Sequence, residues 1–592
     1  MTRLGDSLGQ AANQFDILNR ETELFWPLLE RSGWVPVYGG DLKAAPRLLA
    51  TGRQLSHSLV ILAEVLNDSR QTLKKPDWLS SLVATLNDSH ADMDRALILL
   101  QQSQANLDGV PVETLTPAVA ERVQLLQRFL PPMTTGAALA ARLPALLGIE
   151  SPQTYLILSP NSDELRPAGG FITLAGHITF DRGRITDFKL YNSSHVDEET
   201  ENHPYPPAPM YYYMKAGYWL MRDVTWSPDF PAVADTAVDL YELGQGIQAD
   251  GVVSLDQHGL VQLLRAFKPL SVNGEQVTSD NVIKLMRWHW SPNAWQGARG
   301  DWSQQRKAFL VELSETIRQT IEQQPSTIKL PILAEMIEQA LAEKHLLVYM
   351  KDPVLQSHIV DKNWGGAINS GNGDYLMIAD ANVGFNKASA LVQRGLIYHI
   401  TLATDGSAKA QAHLTYEHHG RPHSTPCSIL PRSDPVYEDN MQRCYWNYMR
   451  LVTPAAAHLI SGPGKVVEGK YLLHGETTTG EPDVELLLDK QSWGQLFMLT
   501  PDQTTLLDFE YELPAGTARK IDESLWQYTL YLQKQPGTLT TDTQVTVALP
   551  SGAQLTQSQP PATLDQNGAL TFSTNQKTDW QLLLYYKLPQ KE

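Results

Sequence analysis

Four short stretches between residues 160 and 310 gather charge beside glycine, proline and tryptophan: NSDELRPAGGF, LMRDVTWSPDFP, LMRWHW and ARGDWSQQRKAFL. They supply Arg166, Arg222, Arg287, His289, Asp301 and Arg306 as candidate ligand-binding residues. A guanidinium presents a planar fork of donors that matches a carboxylate or a phosphoryl group. Several such forks meeting in one place would grip a phosphate. Gly169 and Gly170, just after Arg166, allow close backbone approach or positive φ. In the fourth stretch Leu310, Leu313, Ile317 and Ile321 mark a helical stripe, with Ser303 placed to cap it. Arg306 then falls in the first turn, where the helix dipole disfavours a cation. Either Asp301 pairs with it, or an anion sits between the guanidinium and the free N–H groups of the turn.

The second stretch has a plainer reading as a tied corner. Asp223 pairs with Arg222 or caps a turn, Trp226 plugs a core, and Asp229 caps a helix with Pro231 inside its first turn. Arg222 is the residue of this corner most readily assigned to a ligand, because its charge needs an acidic partner.

Other chemistry finds less footing. No phosphate-binding P-loop, HExxH zinc pair or GxSxG nucleophile elbow occurs. GQGIQA, at 244–249, precedes a predicted strand instead of following one, which is the wrong order for a dinucleotide site. In HLTYEHHGRPH, His413, Glu417 and His419 alternate onto one strand face with His423 close behind. Surface histidines at a strand end and a metal-dependent hydrolase site are the two readings, the first the commoner. The two cysteines, Cys427 and Cys444, share a loop-rich stretch, which favours one disulfide over two unrelated thiols and an oxidising compartment.

The elements that must position these residues follow from hydrophobic period. Leu55, Leu59, Leu62 and Leu66 recur at helical spacing, as do Val119, Val123, Leu126 and Leu130. The latter run starts at Thr116-Pro117 and is expected to stop before Pro131-Pro132. From Tyr155 strand and helix patterns alternate, and from about 392 nearly all is strand and turn. The expected fold is multidomain α+β. It has a helical region over 1–148, an α/β domain over 151–345, a β-rich domain over 346–475 holding the cysteines, and a β-sandwich-like domain over 476–592.

The chain has 592 residues, a formal charge of −18, 42% hydrophobic residues and 14 tryptophans, so real cores are expected and a nucleic-acid scaffold is not. No apolar run is long enough for a membrane helix, and the first residues lack a signal-peptide core, so anchoring is expected only through a segment outside this chain.

Taken in order, NSDELRPAGGF, RDVTWSPDFP, DGVVSLDQHGL, the Arg-Lys of QQRKAFL, GDYLMIADANVGFNKA and YLQKQPG resemble the hallmarks of a bacterial family called domain of unknown function 4012. That resemblance runs from about 150 to 590 and implies an exported body behind a membrane helix. More distantly, DGVVSLDQHGL, NVIKLMRWHW and GDWSQQRKAFL resemble segments of LytR-CpsA-Psr envelope enzymes. This likeness implies a transfer of glycopolymers from a polyprenyl pyrophosphate, with arginines holding the pyrophosphate and aspartates holding magnesium. By it, Arg287, Asp301, Arg306 and Arg166 fall at anion-binding positions, and NVIKLMRWHW corresponds to a paired-arginine strand. His289 stands where the second arginine is expected, Gln304 stands at the helix-start arginine, and Ala168-Gly169 replaces a magnesium ligand.

The expected function is thus an envelope protein at the cell surface that binds a polyprenyl phosphate lipid or cell-wall glycan, with a glycopolymer transferase as its catalytic version. The alternative is a non-catalytic adhesion or assembly module with a degenerate transferase-like domain.

Overall fold

Leucines and valines at helical spacing fold the first part of the chain into helices at Thr2–Thr22, Gly39–Thr72, Trp78–Asp88, His90–Asp108 and Pro117–Leu146. The structure is a computed structural model. It describes residues 2–72, 75, 77–198, 200–292, 307–422, 426–432, 434–566 and 568–589. Leu100, Leu107, Val123 and Leu130 form the buried seam of these helices. The expected stop at Pro131-Pro132 does not occur. The helix runs through Pro131, Pro132 and Pro144 to Leu146. Each ring removes one backbone hydrogen bond, but Leu130, Ala137, Ala141 and Pro144 keep one face buried across this stretch, and packing of that face outweighs the local loss. Leu66 turns outward at 58% exposure and Val65 takes the core position beside it.

This helical part, Met1–Gln153, forms one compact unit together with Ile178–Phe188 and Gln319–Ser326; the remainder forms a second, larger unit.

A five-stranded sheet runs in the order Arg184–Asn192, Phe171–Asp181, Gln153–Asn161, Gly251–Leu255, Leu346–Met350. Gln153–Asn161 and Gly251–Leu255 pair in parallel, and Leu346–Met350 returns antiparallel. The crossover carries the Phe230–Gln245 helix, which buries Phe230, Val233, Ala234, Ala237, Val238 and Tyr241 on one stripe. That stripe packs on Leu156, Val252 and Leu347 of the sheet.

The C-terminal strands build two large sheets, one of seven and one of eight strands. In Val392–Leu402 the alternation expected of a half-buried strand is plain, with Leu396, Tyr398, Ile400 and Leu402 inward. Tyr398, Leu414, Phe509 and Tyr511 from the seven-stranded sheet share a core with Trp493, Phe497, Leu530 and Leu584 from the other. The expected boundary at 475/476 is not a boundary in the fold. Asp374–Asn382 pairs in parallel with Leu525–Gln533, and Val392–Leu402 pairs in parallel with Thr541–Ala548. Both sheets therefore need strands from either side of the predicted break. Cys427 and Cys444 form a disulfide with Cα atoms 5.7 Å apart. Among the described residues, no helix is long and apolar enough to cross a membrane.

Candidate functional site

Arg166 emerges from a tightly folded loop. Asn161 accepts from the Asp163 amide at 2.9 Å, which sets the turn Ser162–Glu164 and aims two carboxylates inward. Gly170, at φ +143°, lies so close to this turn that a Cβ there would meet the Asn161 carbonyl at 2.3 Å. Arg166 is fully buried. Its Nε and Nη2 donate to Asp223 at 3.2 and 2.8 Å, Nη2 also donates to Glu164 at 3.2 Å, and Nη1 donates to the carbonyls of Leu165 and Asn382. The second Glu164 oxygen accepts a hydrogen bond from the Lys387 ammonium at 2.5 Å. Burial pushes the Glu164 carboxyl up, but Lys387 and Arg166 outweigh it and hold it below the usual range. All three nitrogens of the Arg166 guanidinium already have acceptors within the protein.

The corner at 220–231 is organised around the same pair. Asp223 is the main acid of Arg166, and its second oxygen lies 3.6 Å from the half-exposed Arg222 guanidinium. Trp226 is buried, stacks on Tyr448 with ring centroids 5.9 Å apart, and lies under the Arg450 guanidinium. Arg450 also donates to the Trp226 carbonyl. Asp229 caps the Phe230–Gln245 helix by accepting from Ala232, and accepts from the Ile368 amide at 2.9 Å as well.

Arg287 and His289 belong to the helix Val282–His289 and not to the paired strand that the transferase likeness implies. Two residues apart share a face on a strand but diverge on a helix. Arg287 accordingly makes a forked contact with Asp163 at 3.0 and 2.9 Å. His289 turns elsewhere, to Glu275 at 2.7 Å and to the face of Phe309 at 4.4 Å. Asp163 also accepts from Gln257 at 2.8 Å and from the Tyr437 hydroxyl at 3.0 Å. Burial raises its carboxyl, and Arg287 with Gln257 more than reverses that. Asp301, Arg306 and the cap Ser303 lie outside the described residues. The next residue, Lys307, is buried and donates to the Thr173 carbonyl and to Asn192 at 2.7 and 2.8 Å.

A cavity of about 360 Å³ opens beside Arg287, lined also by Asp163, His258, Asp380, Arg394 and Tyr416. Arg394 donates to Asp380 at 2.6 Å, and Tyr416 donates to the other Asp380 oxygen at 2.6 Å. Two guanidinium groups thus face two carboxylates here. Burial lowers the His258 pKa, which favours the neutral ring. Such a cavity has no surplus positive charge with which to offset a pyrophosphate.

No group of three or more His, Cys, Asp or Glu suited to a metal occurs among the described residues. Asp163, Glu164 and Asp223, the carboxylates nearest Ala168-Gly169 where the likeness puts a lost magnesium ligand, are committed to Arg287, Lys387 and Arg166. This donor set does not fit magnesium. On the strand Ala408–His418, His413 pairs with Asp508 at 2.6 Å, whereas His419 lies 3.6 Å from Glu417 and His423 is outside the described residues.

Apart from Asp223, residue types alone did not single out the acids and amides that receive these arginines, although they stand inside stretches quoted from the sequence. GDYLMIADANVGFNKA supplies Asp380, Asn382 and Lys387. YLQKQPG supplies Gln535, whose side chain donates to the Arg166 and Asp380 carbonyls at 3.2 and 2.8 Å and accepts from the Asp380 amide at 2.9 Å. DGVVSLDQHGL supplies Gln257 and Asp256, the latter capping its helix and pairing with His345 at 2.7 Å. Stretches hundreds of residues apart therefore meet in one buried polar junction.

Residues 150–289 match the family model described as protein of unknown function (DUF4012). No curated protein matches the chain. Solved structures with detectable likeness include a Legionella pneumophila protein described as a candidate nutrient binding protein, 8% identical over 36% of this chain and 71% of that one, with a TM-score of 0.21. A Deinococcus radiodurans M1 zinc metallopeptidase is 14% identical over 33% of this chain and 42% of that one, with a TM-score of 0.16. The Danio rerio Fcho1 Mu homology domain with bound Eps15 peptide is 7% identical over 38% and 81%, with a TM-score of 0.11. Scores this low carry no argument about shape or activity.

Proposed function

We propose that the chain is an exported surface protein that works as a non-catalytic adhesion or assembly module. In this reading its transferase-like stretches hold the α/β sheet and the large β-sheets together in a single body. The observation that carries it is the fate of the guanidinium groups: Arg166 is closed by Asp223 and Glu164, and Arg287 by Asp163, each with its own acid. A phosphoryl group would have to displace a buried carboxylate to reach either, and the carboxylate left behind would cost several kcal/mol. The Cys427–Cys444 bridge supports the exported location.

Titration of the full chain with farnesyl pyrophosphate and magnesium tests the reading. It is expected to give no saturable heat at millimolar ligand. Saturable binding that vanishes in Arg287→Ala would replace the scaffold with a polyprenyl-phosphate site and reopen the transferase reading. Location has its own test: protease added to intact cells should digest the chain in its oxidised form, and a protected, reduced chain would contradict export.

A further inference from the structure

Away from the arginine junction, a cavity of about 710 Å³ is walled by three consecutive tyrosines, Tyr211, Tyr212 and Tyr213. Pro207 and the helix Ala208–Met214 present these rings; Tyr211 is 61% exposed and Tyr212 44%. Large aromatic faces are normally withdrawn from water, and these are held in place where water reaches them. Tyr212 lies against His474 with centroids 4.2 Å apart, meets Tyr213 edge-on at 5.2 Å, and donates its hydroxyl to Glu476 at 3.1 Å.

The opposite wall is polar and acidic. Glu481, Asp483 and Glu485 line it with the hydroxyls of Thr477, Thr478 and Thr479, and no lysine or arginine is among the lining residues. Asp483 accepts from the Tyr448 hydroxyl at 3.1 Å. The floor is built for that ring: a Cβ on Gly494 would meet the Tyr448 hydroxyl at 2.1 Å, so only glycine lets Tyr448 lie across the strand.

Flat aromatic faces next to clustered acceptors suit a ligand with apolar C–H faces and many hydroxyls. The acidic wall repels phosphates, sulfates and uronic acids. The volume falls in the usual range for small-molecule pockets. We propose that this groove binds an uncharged glycan, with pyranose rings stacked on Tyr211 and Tyr212 and ring hydroxyls donating to Glu481 and Asp483. The assignment rests on the reading of the chain as a surface module, but it uses residues outside the arginine junction, so the two fail separately.

The test is saturation-transfer NMR and calorimetry on the full chain with chitohexaose and cellohexaose, alongside a panel of other neutral oligosaccharides and polygalacturonate as an anionic control. Binding of at least one neutral oligosaccharide is expected, with transfer strongest to its axial C–H protons and none to polygalacturonate. Tyr211→Ala removes an exposed ring, so the fold is unaffected, and it should weaken binding roughly tenfold. Gly494→Val should abolish it by displacing the floor. Failure of the whole neutral panel, or binding that Tyr211→Ala leaves unchanged, overturns the proposal. So does capture of an extended peptide along the edge strand Asp483–Leu487 in place of a sugar.

Discussion

At the scale of single residues the protein spends charge internally. Arg166 shows the principle most clearly, because its acids are buried with it. Arg166→Met should lower stability by roughly 3–5 kcal/mol, since Asp223 loses its main partner inside the protein and Glu164 keeps only Lys387. Thermal unfolding of the larger unit measures this, and adding Asp223→Asn should recover part of the loss. Asp374 behaves in the opposite way. It is buried beneath the hydroxyls of Tyr398 and Tyr528, at 2.9 and 2.6 Å, and burial pushes its carboxyl up to about 6. Its folded pKa lies above the unfolded one, so its contribution is fully present below about pH 4 and is lost as pH rises through about 6. Asp374→Asn should therefore raise stability at pH 8 by on the order of 2 kcal/mol and do little at pH 4, as read from unfolding curves at the two pH values. The arginines themselves were readable as buried or gripping groups. Which of the two could not be read, because the answer depends on acids brought in from Asp163, Asp223 and Glu164 by the fold.

At the scale of elements, local signals carried well wherever one segment decides the outcome. Asp229 and Pro231 start a helix, and the alternation of Val392–Leu402 sets its inner face. They failed where packing overrides local chemistry, as at Pro131-Pro132; the strand expected at LMRWHW came from the transferase likeness alone, and that segment is a helix. The disulfide is the element-scale staple of the loop between 427 and 444. A bridge of that span contributes about 3 kcal/mol. Cys427→Ser with Cys444→Ser should lower the unfolding temperature of the larger unit accordingly, and an unchanged transition would show that the bridge constrains nothing.

At the scale of the whole molecule, strand partners decide the architecture and sequence period does not name them. Each strand of the C-terminal half reads correctly as a strand, yet the pairs Asp374–Asn382 with Leu525–Gln533 and Val392–Leu402 with Thr541–Ala548 join segments about 150 residues apart. A fragment spanning 476–592 should consequently fail to fold alone. Circular dichroism of that fragment should show no cooperative melt, whereas the fragment 327–592 retains every strand of both sheets. The same long-range assembly explains why stretches as far apart as Asp163–Arg166, Asp223, Gln257, Asp380–Lys387 and Gln535 serve one junction.

The central claim is that the arginines of the middle domain hold the protein to itself, and a double-mutant cycle on Arg287 and Asp163 tests it most directly. The account predicts a coupling energy of about 2–4 kcal/mol in thermal unfolding of the full chain, with no farnesyl pyrophosphate binding in any of the four proteins. A coupling near zero, together with pyrophosphate binding that only Arg287→Ala destroys, would contradict it.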